Sequence, residues 1–143
     1  MKRRMLDSDE SSGSMLKGIV ATFLSMLILG PFMGIGWIIS GLFGGIASRG
    51  GLRGFVAGLI GGIVLALIVI EISYYVGPST INHIMSYTGN FYFVNNVKTI
   101  YLETRQQLGV DPLHTIISVV AEGAIVPAVG GLIGGFFLSR DSD

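Results

Sequence analysis

Long apolar stretches separated by short polar ones organise this chain. Residues 1–15 are polar, mixed in charge and rich in serine. From Leu16 to Ser48 the only charge is Lys17, and from Gly54 to Val76 the only one is Glu71. Residues 77–112 alternate in polarity, and from Leu113 to Leu138 the only formal charge is Glu122. Residues 139–143 are polar again. At 1.5 Å per residue the second and third runs each reach across a hydrocarbon core of about 30 Å. As one helix the first run would extend about 48 Å and demand extreme tilt. The segment Gly30-Pro31-Phe32-Met33-Gly34-Ile35-Gly36 holds a proline and three glycines, which predicts a break.

The expected fold is therefore an all-α integral membrane protein with four transmembrane helices, near 16–30, 36–48, 54–76 and 113–138. The first two are short, about 20–22 Å each, and the alternative for them is a re-entrant hairpin supported by neighbouring protein. The expected domains are a polar cytoplasmic tail at 1–15, one helical membrane domain at 16–138, and a polar cytoplasmic tail at 139–143. Positive charge arbitrates between topologies. Four spans with the N-terminus inside place Lys2, Arg3, Arg4, Lys17, Arg49, Arg53 and Arg140 inside, leaving Lys98 and Arg105 outside. Three spans separate the charges less well. Trp37, Tyr74 and Tyr75 then fall at the outer interface, where aromatic rings gather. This predicts a multi-pass cell-membrane protein with both termini cytoplasmic. Acidic Asp7, Asp9 and Glu10 ahead of the first apolar run argue against a cleaved signal peptide.

Between the last two long spans, Val94, Val97, Tyr101 and Leu108 fall near one helical face. They predict a short amphipathic helix at the interface. Asp111-Pro112 reads as the start of the last span, with Asp at the N-cap and Pro at the first helical position.

Composition sharpens the membrane reading. The 143 residues are 50% hydrophobic and 13% charged, against about 25% charged in ordinary soluble domains. Mean hydropathy is +0.70. Nine basic and nine acidic residues leave no basic excess for nucleic acid, so none is expected as a partner. Without cysteine there is no disulfide, thiolate-held metal or thiol nucleophile.

Glycine accounts for 22 residues, and much of it recurs in one motif. Gly41-Leu42-Phe43-Gly44-Gly45, Gly58-Leu59-Ile60-Gly61-Gly62 and Gly131-Leu132-Ile133-Gly134-Gly135 are three copies of G-L-[FI]-G-G. The first and third runs both stop at Ser-Arg, at Ser48-Arg49 and Ser139-Arg140. Small residues also recur every fourth position, as in Gly50, Gly54, Gly58, Gly62 and Ala66. On a helix such residues stack into a bare stripe. Lipid tails supply no hydrophobic drive between helices, so close backbone approach must hold them together. The expected helix-packing set is Gly41, Gly44, Gly45, Gly54, Gly58, Gly61, Gly62, Gly131, Gly134 and Gly135. These stripes serve either packing within one chain or contact with a second copy or another membrane subunit.

The region from Pro31 to Ile70 resembles the small glycine-rich multi-pass membrane proteins of unknown function common in archaea. The resemblance rests on a proline ahead of a glycine-rich span, the turn Arg49-Gly50-Gly51-Leu52-Arg53-Gly54, and a second glycine-rich span. It implies a multi-pass fold and carries over no activity and no site residues.

Three ionisable residues are candidates for chemistry. Glu122 is the tenth of 26 residues in its span, about 14 Å from the end and close to the bilayer midplane. A carboxylate there is costly and by default points to function. Glu122, with Glu71 and His114 on the outer approach, is the candidate proton or cation site. The competing reading is a protonated Glu122 hydrogen-bonded to a neighbouring helix or a partner subunit, with Ser118 one turn away. His83 and His114 have no metal-binding spacing, no G-x-S-x-G nucleophile elbow exists, and no glycine run continues into Gly-Lys-Ser/Thr. No cofactor, metal or catalytic residue is expected.

The expected function is that of a non-enzymatic membrane protein. It would be a structural or accessory subunit packing through its glycine stripes in a homo-oligomer or larger membrane complex. The alternative is a small channel or secondary transporter using Glu122. The surroundings of Glu122 separate the two.

Overall fold

The break at Gly30–Gly36 turns the first apolar run into a helical hairpin. In a computed structural model, residues 2–32, 34–89 and 91–138 are described, with residues 2–14 and 138 described in their backbone alone. Helix α1 runs from Lys2 to Leu29 and ends in a short 3-10 turn, Gly30–Phe32. Its first part is the stretch expected as a polar tail; it contains no proline, and its backbone continues the helix. Helix α2, Gly34–Ser48, returns alongside it. A turn at Arg49, in the left-handed region at φ 51°, and Gly50 leads into α3, Gly51–Tyr75. Two helices follow, α4 (Pro78–Ser86) and α5 (Tyr92–Val110). Asp111 alone separates α5 from α6, Pro112–Ile133, which continues as a π-helical stretch, Gly134–Leu138. The Asp111 carboxylate accepts the backbone N–H of His114 at 3.1 Å, and Pro112 stands in the first turn. The expected cap is formed. The second tail and the Ser139-Arg140 ending lie outside the described residues.

Regular structure among the described residues is all helical. Three segments are long and apolar enough to cross a membrane: Met15–Phe32, Gly51–Tyr75 and Pro112–Phe137. Helix α2 has 15 residues, about 22 Å by helical rise, which is shorter than a bilayer core.

The distribution of side chains is that of a protein whose solvent is lipid. Most buried positions are small or weakly polar, among them Gly18, Thr22, Ser40, Gly44, Ser48, Ala57, Ala66 and Ala128. Large aliphatic and aromatic residues face outward, among them Leu24, Ile28, Ile35, Phe43, Leu67, Ile117 and Phe137. A water-soluble domain places these classes the other way round and does not expose so continuous an apolar surface.

Small residues let the helices touch backbone to backbone. Helix α6 is antiparallel to α3: Gly54 lies against Gly131, Gly58 against Pro127, and Gly62 against Gly123. It runs parallel to α2, where Gly41 abuts Pro127, Gly45 abuts Gly131, and Gly130 meets Ile38. Pro127 is fully buried where the three helices meet. Lacking an N–H, it cannot donate to the carbonyl of Gly123 four residues earlier. The bare Cα of Gly62 closes onto that carbonyl oxygen instead. Helix α1 packs on the other side of the hairpin, with Gly18 against Ser48 and Gly44, and Thr22 against Gly44 and Gly61.

Candidate functional site

The glycine seam tightens one part of the bundle and leaves the other open. Toward the α2–α3 turn, α2, α3 and α6 are in backbone contact. Toward the far end, side chains enlarge along α1 and α3, and α5 enters between α3 and α6. A cavity of about 440 Å³ lies there, bounded by α1, the 3-10 turn, Trp37 of α2, α3, α5 and α6.

Helix α5 is fastened over this cavity at the C-terminal ends of two other helices. The last carbonyls of a helix lack intrahelical donors and carry its partial negative charge. The Arg105 guanidinium donates to the carbonyls of Ser73 and Val76, both at 2.9 Å. The Tyr101 hydroxyl donates to the Val76 carbonyl at 2.5 Å. Near the end of α1, Asn96 Nδ2 donates to the Pro31 carbonyl at 2.9 Å, and the Trp37 indole N–H donates to the Gly30 carbonyl at 3.1 Å. Tyr101, Thr104 and Leu108 are buried. The expected amphipathic helix is therefore present. Its inner face includes Tyr101 and Leu108 as anticipated, while Arg105 caps α3.

The candidate ionisable residues separate. Glu122 lines the cavity, beside Gly123, Ser118 and Val119 of the same helix. Met26 and Ala66 are on the same wall, and Ala66 lies against Gly123 where the seam closes. Glu71 and His114 are not on the cavity wall; they are exposed, and so is Glu122, because the cavity is open on one side. At 3.6 residues per turn, Glu71 lies on the far side of α3 from Leu65, Val69 and Ile72, which face the cavity. The structure thus does not join Glu71 or His114 to Glu122. It supplies a different second carboxylate, Glu103 of α5. For Glu103 the sequence offers only a spacing, which does not say whether that face turns inward. Ile100, Glu103, Thr104 and Gln107 recur at helical spacing, and all four line the cavity.

The ten glycines of the packing set are all buried. A Cβ added at Gly41, Gly45, Gly54, Gly58, Gly62, Gly131, Gly134 or Gly135 would overlap a backbone carbonyl oxygen of a neighbouring segment. At Gly44 and Gly61 it would press on Thr22. Every one of these contacts is within the chain, so these stripes do not present a bare surface to a second copy. Two buried hydroxyls, Thr22 Oγ1 and Ser73 Oγ, have no hydrogen-bond partner among the described residues, and Ser73 stands on the cavity wall. No group of three or more His, Asp or Glu side chains among the described residues could hold a metal ion.

No family model matches the chain, and no solved structure matches it. Over 70 residues it is 48% identical to a protein of Mycoplana dimorpha named pyrophosphate-energized proton pump 2. The stretch covers 47% of this chain and 33% of that protein, so the chain spans about a third of the relative's length. With the three long apolar helices, this likeness supports a membrane location. That name describes a pump driven by pyrophosphate and bears against the expectation of a non-enzymatic protein, over less than half of this chain.

Proposed function

We propose that the protein is a small membrane transport module, a channel or carrier in which Glu122 takes up a proton or cation from the cavity. One observation carries this reading: a mid-helix carboxylate lines an open cavity between helices and is not buried in a packed interface. The competing role, a structural subunit joined to others by glycine stripes, loses its main support because those stripes are used internally. The likeness to a protein named as a proton pump points the same way. Only the proton half of that name is carried over. Anchoring pyrophosphate calls for cationic side chains, and among the described residues no Lys or Arg lines the cavity.

In this reading the chain crosses the bilayer four times with both termini cytoplasmic. Helix α2, short for a crossing, is supported along its length by α1 and α6 and tolerated by local thinning of the bilayer. Glu122 exchanges protons with the cavity side. Passage to the other face requires α6 to part from α3 near Gly62 and Gly123, where the seam is closed.

The test is flux into liposomes containing a trapped pH-sensitive dye, under an imposed membrane potential. Wild-type protein and Glu71→Gln should dissipate the gradient, and Glu122→Gln should abolish the response. Equal flux with and without the Glu122 carboxylate refutes the assignment.

A further inference from the structure

Proton transfer explains a carboxylate but not the size or walls of the space beside it. A volume of about 440 Å³ falls in the range of pockets for small organic molecules. Its walls are largely aliphatic, with Leu27, Leu65, Val69, Ile72 and Ile100 prominent, and the Trp37 indole contributes an aromatic surface. Two carboxylates reach the wall from different helices, Glu103 from α5 and Glu122 from α6. Among the described residues no Lys, Arg or His side chain stands on that wall to neutralise them. Apolar walls reject strongly hydrated ions, and two unneutralised carboxylates reject anions. Indole faces attract organic cations that have shed their water.

Building on Glu122 as the transport carboxylate, we propose that the cavity binds a lipophilic organic cation. Its apolar groups fill the space among α1, α3 and α5, and its charge lies against Glu103 and Glu122. Proton uptake at the carboxylates and binding of the organic cation then compete for the same negative charge. That competition is the requirement for exchanging one against the other.

Tetraphenylphosphonium is a suitable probe, and tetraphenylborate is its control of matched shape and opposite charge. The full chain in nanodiscs of neutral lipid is examined by equilibrium dialysis against empty nanodiscs. Trp37, the single tryptophan, reports occupancy by fluorescence. The expected result is saturable phosphonium binding with a matching Trp37 response, and no saturable binding of the borate. Affinity should fall at least tenfold in the double variant Glu103→Gln with Glu122→Gln. Absence of saturable phosphonium binding, equal binding of both probes, or unchanged affinity in the double variant each overturns the proposal. Proton flux on the same preparations separates the two readings. Flux that depends on Glu122 without a phosphonium site leaves the transport carboxylate standing and removes the organic ligand. A phosphonium site without flux does the reverse.

Discussion

Replacing Gly58 by alanine tests the backbone seam with the smallest possible change. A Cβ at this position would lie 2.7 Å from the Pro127 carbonyl carbon and 2.9 Å from the Ala128 Cα. Ordinary contact begins near 3.4 Å, and the Pro127 carbonyl oxygen lies closer still than its carbon, so α3 and α6 must separate there by more than about 0.7 Å. Neither side can yield by rotating a side chain, because both are backbone. The displacement is shared by Gly54 and Gly62, four residues away on the same seam. Overpacking of this kind costs about 1–3 kcal/mol, against a helix-propensity gain of up to about 1 kcal/mol for replacing glycine. Because the overlap is with backbone, the cost lies at the upper end of that range, and subtracting the propensity gain leaves a net destabilisation of roughly 2 kcal/mol. Gly109 of α5 is the internal control, since a Cβ there meets nothing within 4 Å. Thermal unfolding followed by circular dichroism in mild detergent reads both variants. At a few degrees per kcal/mol for a chain of this size, Gly58→Ala should melt roughly 5–8 °C lower. Gly109→Ala should melt at or slightly above wild type. A Gly58→Ala protein as stable as Gly109→Ala would refute backbone contact as the force that joins α3 to α6.

Other expectations follow from single interactions. Thr22 is fully buried, and its hydroxyl has no hydrogen-bond partner among the described residues. Replacing such a group by an apolar one of the same shape is neutral or stabilising, so Thr22→Val should keep or raise the melting midpoint; a drop of several degrees would show that the hydroxyl is bonded. Arg105→Met removes two charge-assisted bonds to the end of α3, worth about 1.5–3 kcal/mol each when well formed and less here, because the side chain is only partly buried. Hydrogen exchange should accelerate across residues 92–110 and stay slow along the middle of α6, whereas uniform acceleration would mean that α5 is no separate unit.

Several features were legible in the residues alone. The hairpin break follows from Pro31 and its flanking glycines, and the start of α6 from Asp111-Pro112. These are local effects, decided by one residue's missing N–H or one side chain's reach. The three G-L-[FI]-G-G copies announced close approach in the same way. Glu103 was harder to assign. It belongs to a helix with modest hydrophobic patterning, and its polar face could be turned to water or inward with equal local logic. Glu71 and Glu122 are both lone carboxylates in apolar runs; their depths differ along the sequence, but nothing in either run says which helix each would face.

The sequence by itself determined the solvent, the apolar helices and the presence of small-residue stripes, because each depends on composition and periodicity along one segment. Only the tertiary structure decided what those stripes touch. In lipid an apolar face has no intrinsic preference for protein over acyl chain, so periodicity cannot say which helix a face meets, or whether the partner lies within the chain. Packing α2, α3 and α6 through their glycines turned Glu122 toward the cavity and Glu71 away from it. Docking α5 on the carbonyl ends of α1 and α3 brought Glu103 to the same wall. The candidate site is a product of that arrangement, assembled from helices whose individual patterns do not encode it.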